Sequence, residues 1–219
     1  GCAHHMQTPA MIGAAMALRG VLESSDQPFE IHVIGTPSEE SLDGGKNEMA
    51  AHGGFDHIDV AFMVHGSTLT QLETPSLALI EMDVEFHGKT AHAGIAPYAG
   101  RSAVDAVTML QTGLGLMRNH LKDSSRVSNI VLAGGTAVNS VPDFAKVKVE
   151  IRHSSMAYLE SVEQWTREIA QAAAMATQTQ VQITPVAHIY NTTINDAMGA
   201  LLMECAEKFA CDGIAPPRK

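Results

Sequence analysis

The sequence predicts an α/β fold in two parts, in which a partial parallel sheet is interrupted by an inserted second domain. Residues 29–64 follow the order strand, helix, strand with short connections, which is typical of a parallel sheet. Residues 77–188 instead follow the order β-α-β-β-α-β. The 219 residues are enough for one large domain or two small ones.

Long apolar runs define the elements of the first part. Residues 7–22 are rich in Ala, Met and Leu and predict a largely buried helix. Residues 29–35 and 60–64 predict buried strands, and residues 44–52 predict the short helix between them. Because open α/β sheets gather ligands at the carboxyl ends of their strands, we expect the residues that follow these strands to meet at one edge.

The second part has the alternation of a sheet with one face in water. Residues 79–86 place apolar side chains at even positions and Glu81, Asp83 and Glu85 between them. A helix, two strands, a helix and a strand follow, predicted at residues 101–121, 127–132, 144–152, 158–177 and 181–186. This is the ferredoxin-like arrangement.

These elements divide the chain into three stretches. We predict that residues 77–188 form the inserted domain, and that residues 1–76 and 189–219 belong to the first domain, with a returning helix at 191–209. A candidate ligand lies at position 2, and the chain stops soon after the last helix. We therefore expect an internal fragment, truncated at both ends; a processed or tagged complete chain is the alternative.

Composition narrows the classes of function. The net charge of −10 disfavours nucleic acid and anionic membranes as partners, since both need a basic footprint. No apolar run approaches the length of a membrane span, and no signal peptide is visible. Three cysteines, an odd and sparse number, suit a reducing compartment, so we expect a cytoplasmic protein.

Three separated stretches offer metal-binding atoms. Cys2 and His4 precede the first helix, Glu39 and Glu40 follow the first strand through a Gly-Thr-Pro turn, and His65 follows the second strand. A thiolate with imidazoles suits a cation such as zinc. One carboxylate can bind the metal while its neighbour accepts a proton from water, the two roles that hydrolysis needs. Taken singly, Glu39 and Glu40 would ordinarily be interpreted as a solvated acidic turn, and His65 as a histidine bonded to a backbone carbonyl.

Six ordered motifs give the chain a specific resemblance. They are Cys2-Ala3-His4, the Gly-Thr-Pro-Ser-Glu-Glu of residues 35–40, His65, the Gly-Lys-Thr-Ala-His-Ala of residues 88–93, the Gly-Gly-Thr-Ala-Val-Asn-Ser-Val-Pro-Asp of residues 134–143, and Arg152. Together they resemble metallopeptidase family twenty, which includes aminoacylase, glutamate carboxypeptidase and the auxin-conjugate and aminobenzoyl-glutamate amidohydrolases. The likeness runs through nearly the whole chain. It implies a catalytic domain interrupted by a lid and dimerisation domain, and a homodimer formed through that lid.

The resemblance also implies roles for the first-domain residues. Cys2, His4, Glu40 and His65 would be ligands of one or two divalent ions, and Glu39 would be the general base and then the general acid. The thiolate favours zinc, with manganese, cobalt or nickel as alternatives.

In the inserted domain, the resemblance implies three further roles. His92 would reach a partner chain's site and stabilise the developing oxyanion. Asn139 and Arg152 would hold the substrate, Arg152 by a bidentate grip on a carboxylate. By residue type alone these three would be a surface histidine, a turn asparagine and a strand-end charge.

The chain departs from the family pattern at several points. Ala3 replaces the usual Gly, which reduces backbone freedom beside the predicted ligands. His5 stands where the family has Asp or Asn, which alters the support of the metal ligands. His188 is the only late histidine, and we assign it no metal role.

These residues predict a metal-dependent hydrolase that cleaves the amide bond of N-acyl amino acids or small dipeptide-like substrates. The 219 residues alone are expected to have weak or no activity. One alternative is a non-catalytic dimerisation or binding module, either a fragment or an inactive homologue. A second is a metallo-aminopeptidase, which needs no carboxylate grip from Arg152.

Overall fold

The computed structural model describes residues 3–40, 44–67 and 75–209. The chain divides into two compact units: residues 40–44 and 75–193 form the larger, and the remaining residues form the smaller. The described part is a mixed α/β protein. Within it, no helix is both long and apolar enough to cross a membrane.

The described residues contain five α-helices and four strands, besides two short 3-10 helices and the connecting loops. The helices are α1 (His4–Leu22), α2 (Gly45–Ala51), α3 (Ala103–Met117), α4 (Met156–Thr177) and α5 (Asp196–Phe209). The strands are β1 (Ala78–His87), β2 (Arg126–Ala133), β3 (Phe144–His153) and β4 (Gln180–Ile189).

All four strands lie in the larger unit and form one antiparallel sheet in the order β2-β3-β1-β4. β1 pairs with β3 over its full length, from Ala78 opposite His153 to His87 opposite Phe144. With α3 and α4, the order along the chain is β-α-β-β-α-β, so these predicted elements are confirmed.

One face of this sheet forms the core with α3 and α4. The apolar face predicted for residues 79–86 is confirmed, because Ile80, Met82, Val84 and Phe86 are fully buried. The predicted exposure of the intervening positions is found only in part, since Asp83 and Glu85 are partly exposed but Glu81 is buried. Leu110 of α3 and other buried helix residues belong to the same apolar cluster. Burial of each such side chain contributes about 1.5–3 kcal/mol, so this unit has a substantial core of its own.

Serine hydroxyls set where the two core helices begin. The Ser102 hydroxyl accepts a hydrogen bond from the backbone N–H of Asp105 at 3.2 Å, at the start of α3. Ser155 accepts in the same way from Tyr158 at 3.4 Å, at the start of α4. Each cap satisfies one backbone donor that a helix start leaves open.

The smaller unit corrects two sequence predictions. The helix predicted at residues 7–22 is present as α1, but none of its residues is buried. The strands predicted at residues 29–35 and 60–64 are absent: within the described residues, neither segment belongs to a sheet. The partial parallel sheet is therefore wrong for the described residues. A strand requires a neighbour to pair its backbone groups, and most apolar side chains of both segments are exposed here.

Candidate metal centre and the His92 loop

Three predicted first-domain residues lie close together. His4 is the first residue of α1, and Glu39 and Glu40 lie in the turn after the Gly-Thr-Pro run. One ligand atom from each of His4, Glu39 and Glu40 lies within 4.8 Å of the other two. Within this group, Nε2 of His4 lies 3.5 Å from Oε2 of Glu39.

His65 lies beside this group, in contact with His4, but is not one of the three residues whose ligand atoms lie within 4.8 Å of one another. The two imidazole rings have centroids 5.5 Å apart and meet edge to face. Nδ1 of His65 lies 2.7 Å from the carbonyl oxygen of Gly66, which makes Nδ1 the protonated nitrogen and leaves Nε2 as the lone-pair donor. A hydrogen bond of this kind fixes the orientation of metal-binding histidines in other proteins.

The donor set fits a divalent cation. Two imidazoles and two carboxylates are ligand types that zinc and manganese accept. The predicted fourth ligand, Cys2, lies outside the described residues. His5 is exposed, and His188 lies on β4 with its Nε2 at 3.4 Å from Oε2 of Glu163.

Unusual backbone conformations place the two ligand-bearing turns. Ala3, which precedes α1, has φ 60° and ψ 28°, and no side chain caps the helix there. Ser38, just before the glutamates, has φ 57°. Gly45 packs directly on this turn: a Cβ at Gly45 would lie 3.0 Å from Cγ of Pro37 and closer still to its carbonyl oxygen. Gly45 was not among the predicted site residues, although the Gly44-Gly45 pair after the acidic turn was a usable signal.

In the larger unit, the loops that carry His92 and Asn139 are hydrogen-bonded to each other. The Ala93 N–H donates to the carbonyl of Asn139 at 2.9 Å, and the Val141 N–H donates to the carbonyl of Ala91 at 2.9 Å. His92 and Ser140 form an isolated antiparallel bridge. These contacts make the two loops one structural element beyond the end of β1.

Arg152 lies at the opposite end of the sheet. It pairs with Leu79 near the start of β1, whereas the His92 loop follows His87 at the end of β1. At about 3.3 Å per residue, the distance along the strand from Leu79 to His87 is roughly 26 Å. His92 and Arg152 of one chain therefore cannot contact the same small substrate.

Arg152 is already engaged within the sheet. Its Nε donates to Oε1 of Glu150 at 2.7 Å and its Nη2 donates to Oε2 at 3.0 Å. This bidentate hydrogen bond raises the pKa of Arg152 above its ordinary value, against the opposing effect of burial. A substrate carboxylate would have to compete with Glu150, a residue that was not among the predicted site residues.

Comparison with known proteins gives a family match within the larger unit. Residues 78–178, which include the whole β1–α4 region, match the peptidase dimerisation domain. The chain is 32% identical to the Xaa-Arg dipeptidase of Mus musculus over 217 residues, covering 98% of this chain and 50% of that protein. It is also 32% identical over 204 residues to one of the subunits of the p-aminobenzoyl-glutamate hydrolase of Escherichia coli, covering 90% of this chain and 42% of that protein.

A solved structure shows the same likeness. The crystal structure of aminobenzoyl-glutamate utilization protein from Klebsiella pneumoniae superimposes with a TM-score of 0.55 at 28% identity, covering 65% of this chain and 35% of that one. The fold and these comparisons define a peptidase dimerisation domain in this chain, and the relatives themselves are named peptidases and hydrolases. The chain belongs to metallopeptidase family twenty (M20), and it spans about half the length of the curated relatives it matches.

Proposed function

We propose that this chain is the metal-binding and dimerisation part of a metal-dependent hydrolase that cleaves the amide bond of N-acyl amino acids or small dipeptide-like substrates. The observation that carries this proposal is the grouping of His4, Glu39 and Glu40, with His65 beside His4. The relatives include an Xaa-Arg dipeptidase and aminobenzoyl-glutamate hydrolases, which are named for substrates of this class.

The first-domain residues divide into metal ligands and a proton carrier. His4, Glu40 and His65, together with Cys2, would hold one or two divalent ions, zinc being favoured by the thiolate. A divalent cation supplies Lewis acidity toward the scissile carbonyl and toward water. Glu39 would accept the proton of the attacking water and then deliver it to the leaving amine.

We further propose that residues 77–188 form a ferredoxin-like lid and dimerisation domain inserted between two parts of a catalytic domain, residues 1–76 and 189–219. The antiparallel sheet in the order β2-β3-β1-β4 supports this assignment. In a homodimer, His92 and Asn139 of one chain would serve the substrate held by Arg152 of the other. The roughly 26 Å between the two ends of β1 supports such a shared site, because one chain cannot supply all three groups to one substrate.

Two alternatives each have one observation in their favour. A non-catalytic dimerisation module is favoured by the sheet of the described residues lying wholly in the larger unit. A metallo-aminopeptidase is favoured by the pairing of Arg152 with Glu150, which leaves less of its guanidinium for a substrate carboxylate.

The proposal is tested with Glu39→Gln, made in this chain and in any longer natural protein that contains it, with Glu30→Gln as the matched control. Glu30 is exposed in the same unit and lies outside the metal-ligand group. Metal content is measured by elemental analysis, and turnover on Xaa-Arg dipeptides, N-acetyl amino acids and p-aminobenzoyl-glutamate.

The three functions predict different results. We expect Glu39→Gln to bind metal normally but to lose at least about 100-fold in kcat, while Glu30→Gln is unchanged. Unchanged turnover with normal metal content would remove Glu39 from the mechanism. Absence of both stoichiometric metal and turnover from every form would favour the module. A strong preference for free-amine dipeptides over their N-acyl counterparts would favour the aminopeptidase.

A further inference from the structure

The His92 loop contains a hydrogen bond that bears on the chemistry of the imidazole. The backbone N–H of Gly94 donates to Nδ1 of His92 at 3.2 Å. The N–H groups of Ile95 and Ala96 both donate to the carbonyl oxygen of His92, at 3.2 and 3.0 Å. Residues 92–96 therefore form a tight turn whose amides converge on both the side chain and the backbone of His92.

The turn is itself held by the neighbouring loop. Besides the backbone bonds to Asn139 and from Val141, the hydroxyls of Thr90 and Ser140 lie 3.1 Å apart. This clamp fixes the backbone on which the Gly94 amide sits. The amide consequently meets the ring in a defined position.

A neutral imidazole carries one proton, and the nitrogen that accepts a hydrogen bond is the one without it. We propose that Gly94 is a positioning residue, whose backbone amide holds neutral His92 in the tautomer with Nδ1 unprotonated and Nε2 protonated. The ring is exposed, and among the described residues Nε2 makes no hydrogen bond within the chain. The protonated nitrogen is thus free to donate to an external acceptor.

This inference deepens the proposed function and rests on it for its catalytic meaning. An oxyanion is stabilised by a donor, so a neutral histidine that serves this purpose must present its N–H to the substrate. The opposite tautomer would present a lone pair to the developing negative charge. The Gly94 amide selects the useful form without requiring a positive charge on His92.

The chain offers a matched pair of substitutions at this position. A Cβ at Gly94 would lie 3.5 Å from Cε1 and 3.7 Å from Nδ1 of His92, which is ordinary van der Waals contact. Gly94→Ala therefore keeps the N–H donor, whereas Gly94→Pro removes it. Only Gly94→Pro removes the amide proton, and both substitutions leave the imidazole in place.

The test is ¹⁵N NMR of the histidine-labelled chain, about two pH units above the ordinary histidine pKa, with the His92 signals identified by their loss in His92→Gln. Wild type and Gly94→Ala should show unprotonated Nδ1 and protonated Nε2. In Gly94→Pro the ratio of the two tautomers should shift toward protonated Nδ1 by about fivefold, the effect of losing one ordinary hydrogen bond.

A measurement on the wild-type chain keeps the proposal testable if Gly94→Pro fails to fold. Scalar coupling between the amide nitrogen of Gly94 and Nδ1 of His92, across the hydrogen bond, should be detectable. Absence of this coupling together with a protonated Nδ1 would overturn the proposal.

Activity assays then separate this inference from the proposed function. In the active protein, Gly94→Pro should lower kcat with little change in KM, while Gly94→Ala stays near wild type. If NMR shows the expected tautomer but His92→Gln is fully active, the proposed catalytic role of His92 fails while the tautomer assignment stands.

Discussion

Lys148 and Glu81 form a diagonal ion pair across β1 and β3, with Nζ donating to Oε1 at 2.7 Å. The register places Lys148 directly opposite Asp83, but Nζ lies 3.8 Å from Oδ1 of Asp83, too far for a hydrogen bond. Glu81 is buried, and the buried Oδ1 of Asp83 has no hydrogen-bond partner among the described residues. Lys148 is therefore the cation that pairs with the buried Glu81, whereas Lys146 pairs with Asp83 and Glu85.

Removing this cation should destabilise the larger unit. We expect Lys148→Met to lower the free energy of unfolding by about 1–2 kcal/mol, because it leaves the carboxylate of Glu81 buried without its partner. The effect is smaller than for a fully buried pair, since one third of the Lys148 side chain is exposed. Urea denaturation measures the change. Lys89→Met is the control, since Lys89 is exposed and forms no ion pair within the described residues. Equal effects of the two substitutions would show that the pair contributes nothing specific.

The same face predicts a loss of stability at alkaline pH. Hydrogen bonds from Lys146 to Asp83 and Glu85 raise the pKa of Lys146, and the hydrogen bond to Glu81 raises the pKa of Lys148, against the effect of desolvation. A group whose pKa is higher in the folded state stabilises fully below its unfolded pKa, about 10.4 for lysine. That contribution is lost as the pH rises through the folded pKa.

We therefore expect the free energy of unfolding of the larger unit to fall as the pH rises above about 10.5. Lys146→Met should flatten this part of the profile, because it removes one of the titrating groups. Denaturation midpoints measured from neutral pH to about 11.5 would test this. A wild-type profile no steeper than that of Lys146→Met would contradict the assignment.

The backbone at Ala3 predicts a stabilising substitution. Its φ of 60° is in the left-handed region, which costs an L-residue about 1–2 kcal/mol and glycine almost nothing. Ala3→Gly should raise the free energy of opening of the first turn of α1, as measured by amide hydrogen exchange. The increase should be up to about 1 kcal/mol, after allowing for the greater conformational freedom of glycine in the unfolded chain. Ala10→Gly in the interior of α1 should have the opposite sign, by about 1 kcal/mol. Reduced protection in both variants would mean that the strain at Ala3 is not present in solution.

Gly45 should control metal affinity through the turn that carries Glu39 and Glu40. A Cβ at Gly45 meets the backbone of Pro37, which cannot rotate away as a flexible side chain can. Gly45→Ala should therefore displace the turn and weaken zinc binding roughly tenfold, the scale seen when the support of metal ligands is altered. Gly35→Ala is the control, because a Cβ at Gly35 meets nothing within 4 Å. Competition with a zinc chelator measures both affinities, and equal affinities would exclude this role for Gly45.

The larger unit was predictable from sequence because its pattern and its partners lie in the same stretch of chain. The alternation of residues 79–86 requires one buried face, and β3 and β4 supply the pairing. The apolar runs at 29–35 and 60–64 carry the composition of strands, but composition cannot supply a hydrogen-bonded neighbour. The Ala-rich run of α1 likewise predicted burial that its surroundings do not provide.

Part of the candidate site was also predictable from the sequence, and part was not. His4, Glu39, Glu40 and His65 could be found from residue type and spacing, and they do lie near one another, while their roles stay predictions. The hydrogen bond from Gly94 to His92 depends on backbone geometry within a turn, which residue types do not specify.

The exposed edges of the sheet predict how two chains associate. β2 and β4 are the edge strands. β4 contains Pro185, which lacks an N–H and lies beside a register shift, so β4 is poorly suited to pair with another strand. β2 has no proline, and its Ile130, Val131 and Leu132 are exposed. We expect β2 to pair with β2 of a second copy, which would extend the sheet and cover these side chains.

A charge on β2 should weaken that association. Ile130 is 60% exposed, so Ile130→Lys is tolerated by the fold but places like charges close together in a symmetric strand pair. We expect the dimer dissociation constant, measured by analytical ultracentrifugation, to rise roughly tenfold or more. Gln182→Lys, an exposed position on β4, should leave it unchanged. A larger effect of the β4 substitution would place the interface on the other edge, and a monomeric wild type at every concentration would exclude the homodimer. The shared site proposed above would require two chains. On that proposal, Ile130→Lys should also lower turnover at low protein concentration, and turnover should recover at high concentration.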